Sequence, residues 1–511
     1  MRAKRAAYIS ATSFLHTIVY TIASLILPRL ILLHFGSDYN GVVGAINQFI
    51  GFTSLITAGV GGATLAALFK PLADSDMNKI SGIVRATQGF MRRVALIFAG
   101  ILVLIAALFP LFVADEFDWF FVFTLTIILG SGSFLQYFFG ISYAFLITAD
   151  QRAYITTCVA ISAVILNTIV ASLLIINGFE IRIVYLASAL VFAINPVFIY
   201  IYARRRYRLD FTNPPDNSAI RQRWNAFVHQ IGELANGTVP ILIITVFAGV
   251  FEVSVFVVFF MVVNAIMALT SIFAGSSMTS GFGDMLAKGE NETLKDGVRI
   301  YEFTCNTLAV LLLSCSVVLI IPFVTVYTAG VYDVSYYRPL FALLICIATF
   351  FNIARVPYVT IVNIAGRFKE TQVPVLIETG LCVILSVVLV QFVGIAGVAM
   401  ALIISRMFRT VVFAFYVSRH LVIRSFWVFM RRMLVSGLTA VVIVAICHAL
   451  PLEMTSVSYF AWVLYALPVF AVALCVSAVS VLIFYRGEAK MLWGILSGLL
   501  RSWHRLRLSK Y

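Results

Sequence analysis

Long apolar runs separated by short charged or turn-forming breaks fill nearly the whole chain. The first six lie near 8–33, 41–68, 91–113, 119–148, 155–177 and 183–203. Each approaches or exceeds the roughly 20 residues a helix needs to cross a hydrocarbon slab about 30 Å thick. The longest polar stretch follows, Ala203 to Trp224, with Arg204, Arg205, Arg206, Arg208, the Pro214-Pro215 pair, Arg221 and Arg223; proline pairs and clustered charge end helices and mark linkers. A second block reads near 227–250, 253–283, 300–328, 339–363, 373–392 and 395–418, and two more runs near 434–451 and 459–485. The pattern predicts an all-α polytopic membrane protein of about fourteen spans. Its predicted parts are an N-terminal six-helix lobe (1–203), a basic linker (204–226), a second six-helix lobe (227–418), two additional helices (434–485) and a basic tail (486–511).

Composition narrows this further. Of 511 residues, 62% are hydrophobic and 11% charged, with a mean hydropathy of +1.03; soluble domains run nearer 25% charged. A membrane β-barrel would alternate apolar and polar residues in roughly ten-residue strands, and no such alternation runs through the chain. The amino terminus, Arg2, Lys4 and Arg5 before an apolar run, has the look of a signal peptide. The run from Tyr8 to Leu33 is too long for one and lacks a small-residue cleavage site, so an uncleaved first span is expected.

A net charge of +14 points to orientation rather than nucleic acid, because no basic soluble domain exists to bind one. When the loops are alternated across the membrane, every basic residue outside a span falls on one side except Arg182 and Arg338. The positive-inside rule then places both termini in the cytoplasm of a bacterial inner membrane. The seven cysteines all lie inside apolar runs without metal-ligand spacing, so buried small hydrophobes are expected.

Charged side chains within spans are costly and point to function. Four arginines qualify: Arg29, Arg355, and the pair Arg406 and Arg409, which share a helix face at i,i+3. Together they suit a cavity that binds an anion, although each is equally a candidate for a structural ion pair or a snorkelling side chain. Among the acids in or near spans, Glu233, Glu252, Glu302 and Glu378, Glu378 is the best placed to pair with Arg355. Pro28 and Pro240 stand in the first helix of each block, where a missing backbone donor bends a helix; proline is also simply common in membrane helices. Gly59, Gly61 and Gly62 form no phosphate loop, since neither a strand nor a Gly-Lys-Ser/Thr sequence flanks them. His16 and His448 are each alone within a span, and no metal cluster or Ser/His/Asp arrangement stands out. Faint similarity between the six-helix blocks, a long small-residue second span followed by an acidic segment, is the kind of internal repetition transporters show.

Four segments carry a resemblance: YNGVVGAINQFIGFTSLITAGVGGATLAALFKPLADSD (Tyr39 to Asp76), LITADQRAY (Leu146 to Tyr154), HQIGELANGT (His229 to Thr238) and GRFKETQVPVLIET (Gly366 to Thr379). Across most of the first twelve spans the chain resembles the polysaccharide transport family, the O-antigen and capsule flippases of the multidrug/oligosaccharidyl-lipid/polysaccharide (MOP) exporter superfamily. The resemblance implies two six-helix lobes around a central cavity plus two extra helices. It also implies movement of undecaprenyl-diphosphate-linked oligosaccharide across the cytoplasmic membrane by alternating access. Glu378 matches a glutamate common in the family, and Arg355 an arginine that often precedes a proline, here Pro357. Where many relatives carry an aspartate in the seventh span this chain has Pro240, which puts a carboxylate coupling site there in doubt.

The implied partners are a lipid-linked oligosaccharide, membrane lipids and glycan polymerase machinery, with no nucleic acid. No cofactor is expected, and coupling to a Na⁺ or H⁺ gradient stays open. So do other readings: a different cargo (lipid II, a teichoic acid precursor or an organic cation), a membrane-embedded polysaccharide polymerase, and a lipid scramblase or scaffold. The short external breaks argue against the polymerase, and so against an enzyme, since such enzymes usually set catalytic groups on large external loops.

Overall fold

The computed structural model of the chain describes residues 2–52, 54–207, 209–210, 215–216, 227–273, 282, 285, 290–451, 454–494 and 497. Every regular element among them is a helix, and twelve of these helices are long and apolar enough to cross a membrane. The chain is therefore a multi-pass membrane protein. Most of the basic stretch at 204–226, residues 284 and 286–289 of the acidic break and the tail beyond 497 lie outside the described residues, as do the side chains of 227–231 and 233–236.

Two of the fourteen predicted spans do not add to those twelve, which are drawn from the described residues alone. The run at 41–68 is described as α2 (Ser37–Phe52) and α3 (Ser54–Asp74), on either side of Thr53, which lies outside the described residues. The runs at 227–250 and 253–283 are two helices that follow one another within Phe227–Phe273 across a kink, with no polar turn between them. The only break is Gly249 at φ 85, ψ 170, a backbone region essentially closed to residues with a Cβ.

Contacts divide the chain into two compact units. The first comprises Met1–Met261, Gly330–Ser335 and Cys382–Val398. It contains α1 (Arg2–His34), α2, α3, α4 (Met77–Leu108), α5 (Trp119–Leu135), α6 (Ile141–Ala149), α7 (Ala153–Ile176), α8 (Ile181–Tyr207) and most of α9 (Phe227–Phe273). Helix α4 begins well before the apolar run at 91 because Asp76 caps it, its carboxylate accepting the Lys79 amide at 3.1 Å. Asp118 does the same for α5, accepting from Phe120 and Phe121. The ADQRAY segment forms the α6–α7 turn, where Asp150 accepts from the Tyr207 hydroxyl at 2.7 Å and pairs with Arg152 at 2.8 Å. That ties the end of α8 to the turn.

Within the same unit α2 lies hard against the second half of α9. Asn40 donates to the Ser254 hydroxyl at 2.8 Å, and a Cβ on Gly41 would stand 1.9 Å from the Val250 carbonyl oxygen. Only a residue without a side chain permits that approach. The N-terminus of α2 is held from far along the chain, since Asp333 accepts both the amide and the hydroxyl of Ser37, each at 2.6 Å.

The second unit comprises Val262–Ala329, Tyr336–Leu381 and Ala399–Tyr511. It is built on α10 (Asn291–Tyr327), α11 (Pro339–Ala354), α12 (Val356–Ile364), the first half of α13 (Phe368–Val393), most of α14 (Ile395–His420), α15 (Trp427–Ala449) and α16 (Tyr459–Phe484). Its core includes Val298, Tyr301, Cys305, Tyr358, Val375, Phe413 and Val417, an apolar packing that surrounds the charged groups described next.

Candidate functional site

In the second unit, Arg355 ends α11, Glu378 sits in α13 and Arg409 in α14. The three meet around one carboxylate: Arg355 Nη1 donates to Glu378 Oε1 at 2.8 Å and Arg409 Nη1 to Oε2 at 2.9 Å. All are buried, with Glu378 and Arg409 at zero exposure. The Arg409 guanidinium lies 4.9 Å from the Phe413 ring centroid, one turn on, and the aromatic face offsets part of its desolvation. Thr410 donates to the Phe351 carbonyl at 3.1 Å, fixing α14 against α11 beside the cluster. Arg406, one turn before Arg409, is likewise buried at 4% exposure. A guanidinium presents five donors in a rigid fork, and Glu378 takes one from each arginine. The arrangement is a buried ion-pair cluster in which one carboxylate is shared by two guanidinium groups.

The remaining sequence candidates lie elsewhere. Arg29 and Pro28 belong to α1 in the first unit, and Pro240 lies within α9, where the non-helical backbone falls at Gly249 instead. His16 stacks on Tyr20, and His448 sits against the carbonyl of Val444 at 2.9 Å. No group of three or more His, Cys, Asp or Glu side chains is placed to hold a metal among the described residues.

Sequence reading missed a second charged cluster. Glu302 on α10 is fully buried and receives a two-pronged contact from Arg424 and a further one from Arg432. Arg432 also faces Glu488 at 3.5 Å, and Glu488 accepts from Arg299 Nε at 2.9 Å. Arg424 and Arg432 counted as ordinary loop arginines in the charge pattern, yet Arg432 lies inside α15 at 1% exposure. The overlooked signal was helical period: Arg432, Ser436 and Thr439 recur at i, i+4 and i+7 on one face of a mostly apolar helix.

No protein-family model matches the chain, and no curated protein sequence does. Solved structures do match. The lipid II flippase MurJ in an inward closed conformation aligns over 94% of this chain and 98% of its own, with a TM-score of 0.67 at 14% identity. An inward-facing multidrug resistance MATE family transporter of the MOP superfamily aligns over 77% of this chain and 92% of its own, at TM-score 0.62 and 14% identity. A MOP superfamily transporter from Pyrococcus furiosus, whose binding pocket is described as reversed in polarity, aligns over 78% and 93%, at 0.51 and 13%. The chain thus has the fold of MOP-superfamily transporters.

Proposed function

We propose that the protein is an exporter of the MOP type that flips undecaprenyl-diphosphate-linked oligosaccharide across the bacterial cytoplasmic membrane by alternating access, as a step in surface polysaccharide synthesis. The carrying observation is the buried Arg355–Glu378–Arg409 cluster with Arg406 one turn away. A diphosphate crossing an apolar slab is strongly disfavoured without compensating charge. Guanidinium forks match phosphate oxygens through charge-assisted hydrogen bonds, and Glu378 keeps them paired while no cargo is bound. One protein of this fold is a lipid II flippase, so the scaffold handles a lipid cargo elsewhere. Arg29 in the first unit is proposed as a further cargo contact, and no enzymatic step is part of this reading.

The test is glycan export in cells lacking the gene, scored by whether lipid-linked repeat units accumulate on the inner leaflet. Removing one partner of a buried ion pair costs about 3–5 kcal/mol, so Arg409→Ala loses stability as well as export. Arg409→Lys and Arg355→Lys keep the charge on Glu378 and are expected to accumulate in the membrane near wild-type level while export falls. Export unchanged in both, and in Arg406→Gln, would remove the basis for a cationic cargo site. Lipid-linked units that reach the outer leaflet yet stay unpolymerised would favour the polymerase reading.

A further inference from the structure

The first unit holds a half-open cavity of about 500 Å³ walled by α1, α2, α5, α7 and α8, within the roughly 300–1,000 Å³ of small-molecule sites. Its lining differs in kind from the arginine cluster. No Asp, Glu, Lys, Arg or His is among the described residues that line it, yet amides, hydroxyls and a phenol recur, including Asn47, Asn167 and Tyr185.

Asn167 carries the argument. Its side chain is 6% exposed, and its Oδ1 has no hydrogen-bond partner. A buried amide oxygen left without a donor is rare, because its desolvation goes uncompensated. Pro28 adds a second acceptor. It lies in the wall and has no N–H, so the Ser24 carbonyl, four residues earlier and also in the wall, lacks its helical donor. The Ser24 hydroxyl donates instead to the Thr21 carbonyl at 2.8 Å. Tyr185 and Phe192 supply aromatic surface.

We infer that this cavity binds an uncharged, polyhydroxylated group, a sugar residue of the cargo. The inference rests on the flippase reading and deepens it. A sugar hydroxyl donates and accepts at once, which suits an orphaned amide oxygen, a phenol and a freed carbonyl. The aromatic and aliphatic surface accommodates the C–H faces of the ring. A cation would find no carboxylate here and an anion no guanidinium, whereas a prenyl chain would leave the Asn167 oxygen unsatisfied.

The experiment uses the full chain in lipid nanodiscs and saturation-transfer NMR with hexyl maltoside, alongside binding of undecaprenyl diphosphate. Saturation is expected on the sugar ring protons, falling about fivefold when one buried hydrogen bond is lost in Asn167→Leu. Tyr185→Phe, which removes one oxygen without changing shape, decides the matter should Asn167→Leu not remain monodisperse, and is expected to weaken ring saturation in the same direction. Saturation confined to the hexyl tail, no saturation at all, or ring saturation unchanged in both variants would overturn the inference. Sugar signal lost with diphosphate binding retained removes this site alone; the reverse removes the diphosphate reading and leaves the cavity assignment standing.

Discussion

Gly41 shows how a single missing side chain sets a helix contact. An added Cβ would meet the Val250 carbonyl carbon at 2.7 Å and its oxygen at 1.9 Å, backbone atoms that cannot swing aside. Gly41→Ala is therefore expected to cost at least the upper end of the roughly 1–3 kcal/mol typical of overpacking, read as a lowered thermal midpoint in detergent. Gly51→Ala is the matched control, since its Cβ would have nothing nearer than the Thr238 hydroxyl at 3.8 Å, and it should sit within a few tenths of a kcal/mol of wild type or gain slightly. Equal losses at both positions would show that the close approach of α2 to Val250 is not what Gly41 provides.

At the scale of elements, helices here are positioned by polar contacts from distant parts of the chain. Asp333 caps α2 across 296 residues, and Glu488 fastens the helical segment 486–494 to α10 and α15 through Arg299 and Arg432. Burial alone would raise the Glu488 carboxyl, but its own backbone amide, Arg299 and Arg432 outweigh burial and hold it below the ordinary 4.5. A carboxylate depressed in the folded state contributes stability that is complete above its unfolded pKa and lost as pH falls through the folded one. Between about pH 6 and about pH 3 the thermal midpoint of wild type should fall more steeply than that of Glu488→Gln, the gap between them closing as the proton binds. Parallel curves would mean that this contact contributes nothing to stability.

For the whole molecule the charge pattern predicts cytoplasmic termini, with 329–338 outside and 366–372 inside. In a chain with the exposed Cys158 and Cys475 replaced, Tyr332→Cys should react with a membrane-impermeant thiol reagent in intact cells, and Lys369→Cys only after permeabilisation. Tyr332 is 92% exposed, so failure to label would reflect sidedness rather than burial. Labelling of Lys369→Cys alone in intact cells would invert the proposed topology.

What the chain determined by itself was its solvent and its helices. Runs of about 20 apolar residues leave the backbone only internal hydrogen bonds, and in lipid that means helix. The intramembrane arginines were equally legible, because a charge stands out in an apolar run. The pairing of Arg355 with Glu378 was legible too, and the structure shows it at 2.8 Å; tertiary structure decided which further charges join. Arg355 and Arg409 are 54 positions apart and share the oxygens of Glu378, while Arg432, read as a loop residue, is buried against Glu302. Whether a helix break is a polar turn or a single glycine also needed the fold, as at Gly249. So did the cavity around Asn167: hydropathy measures how well a residue tolerates lipid, and says nothing of which faces converge to line a space.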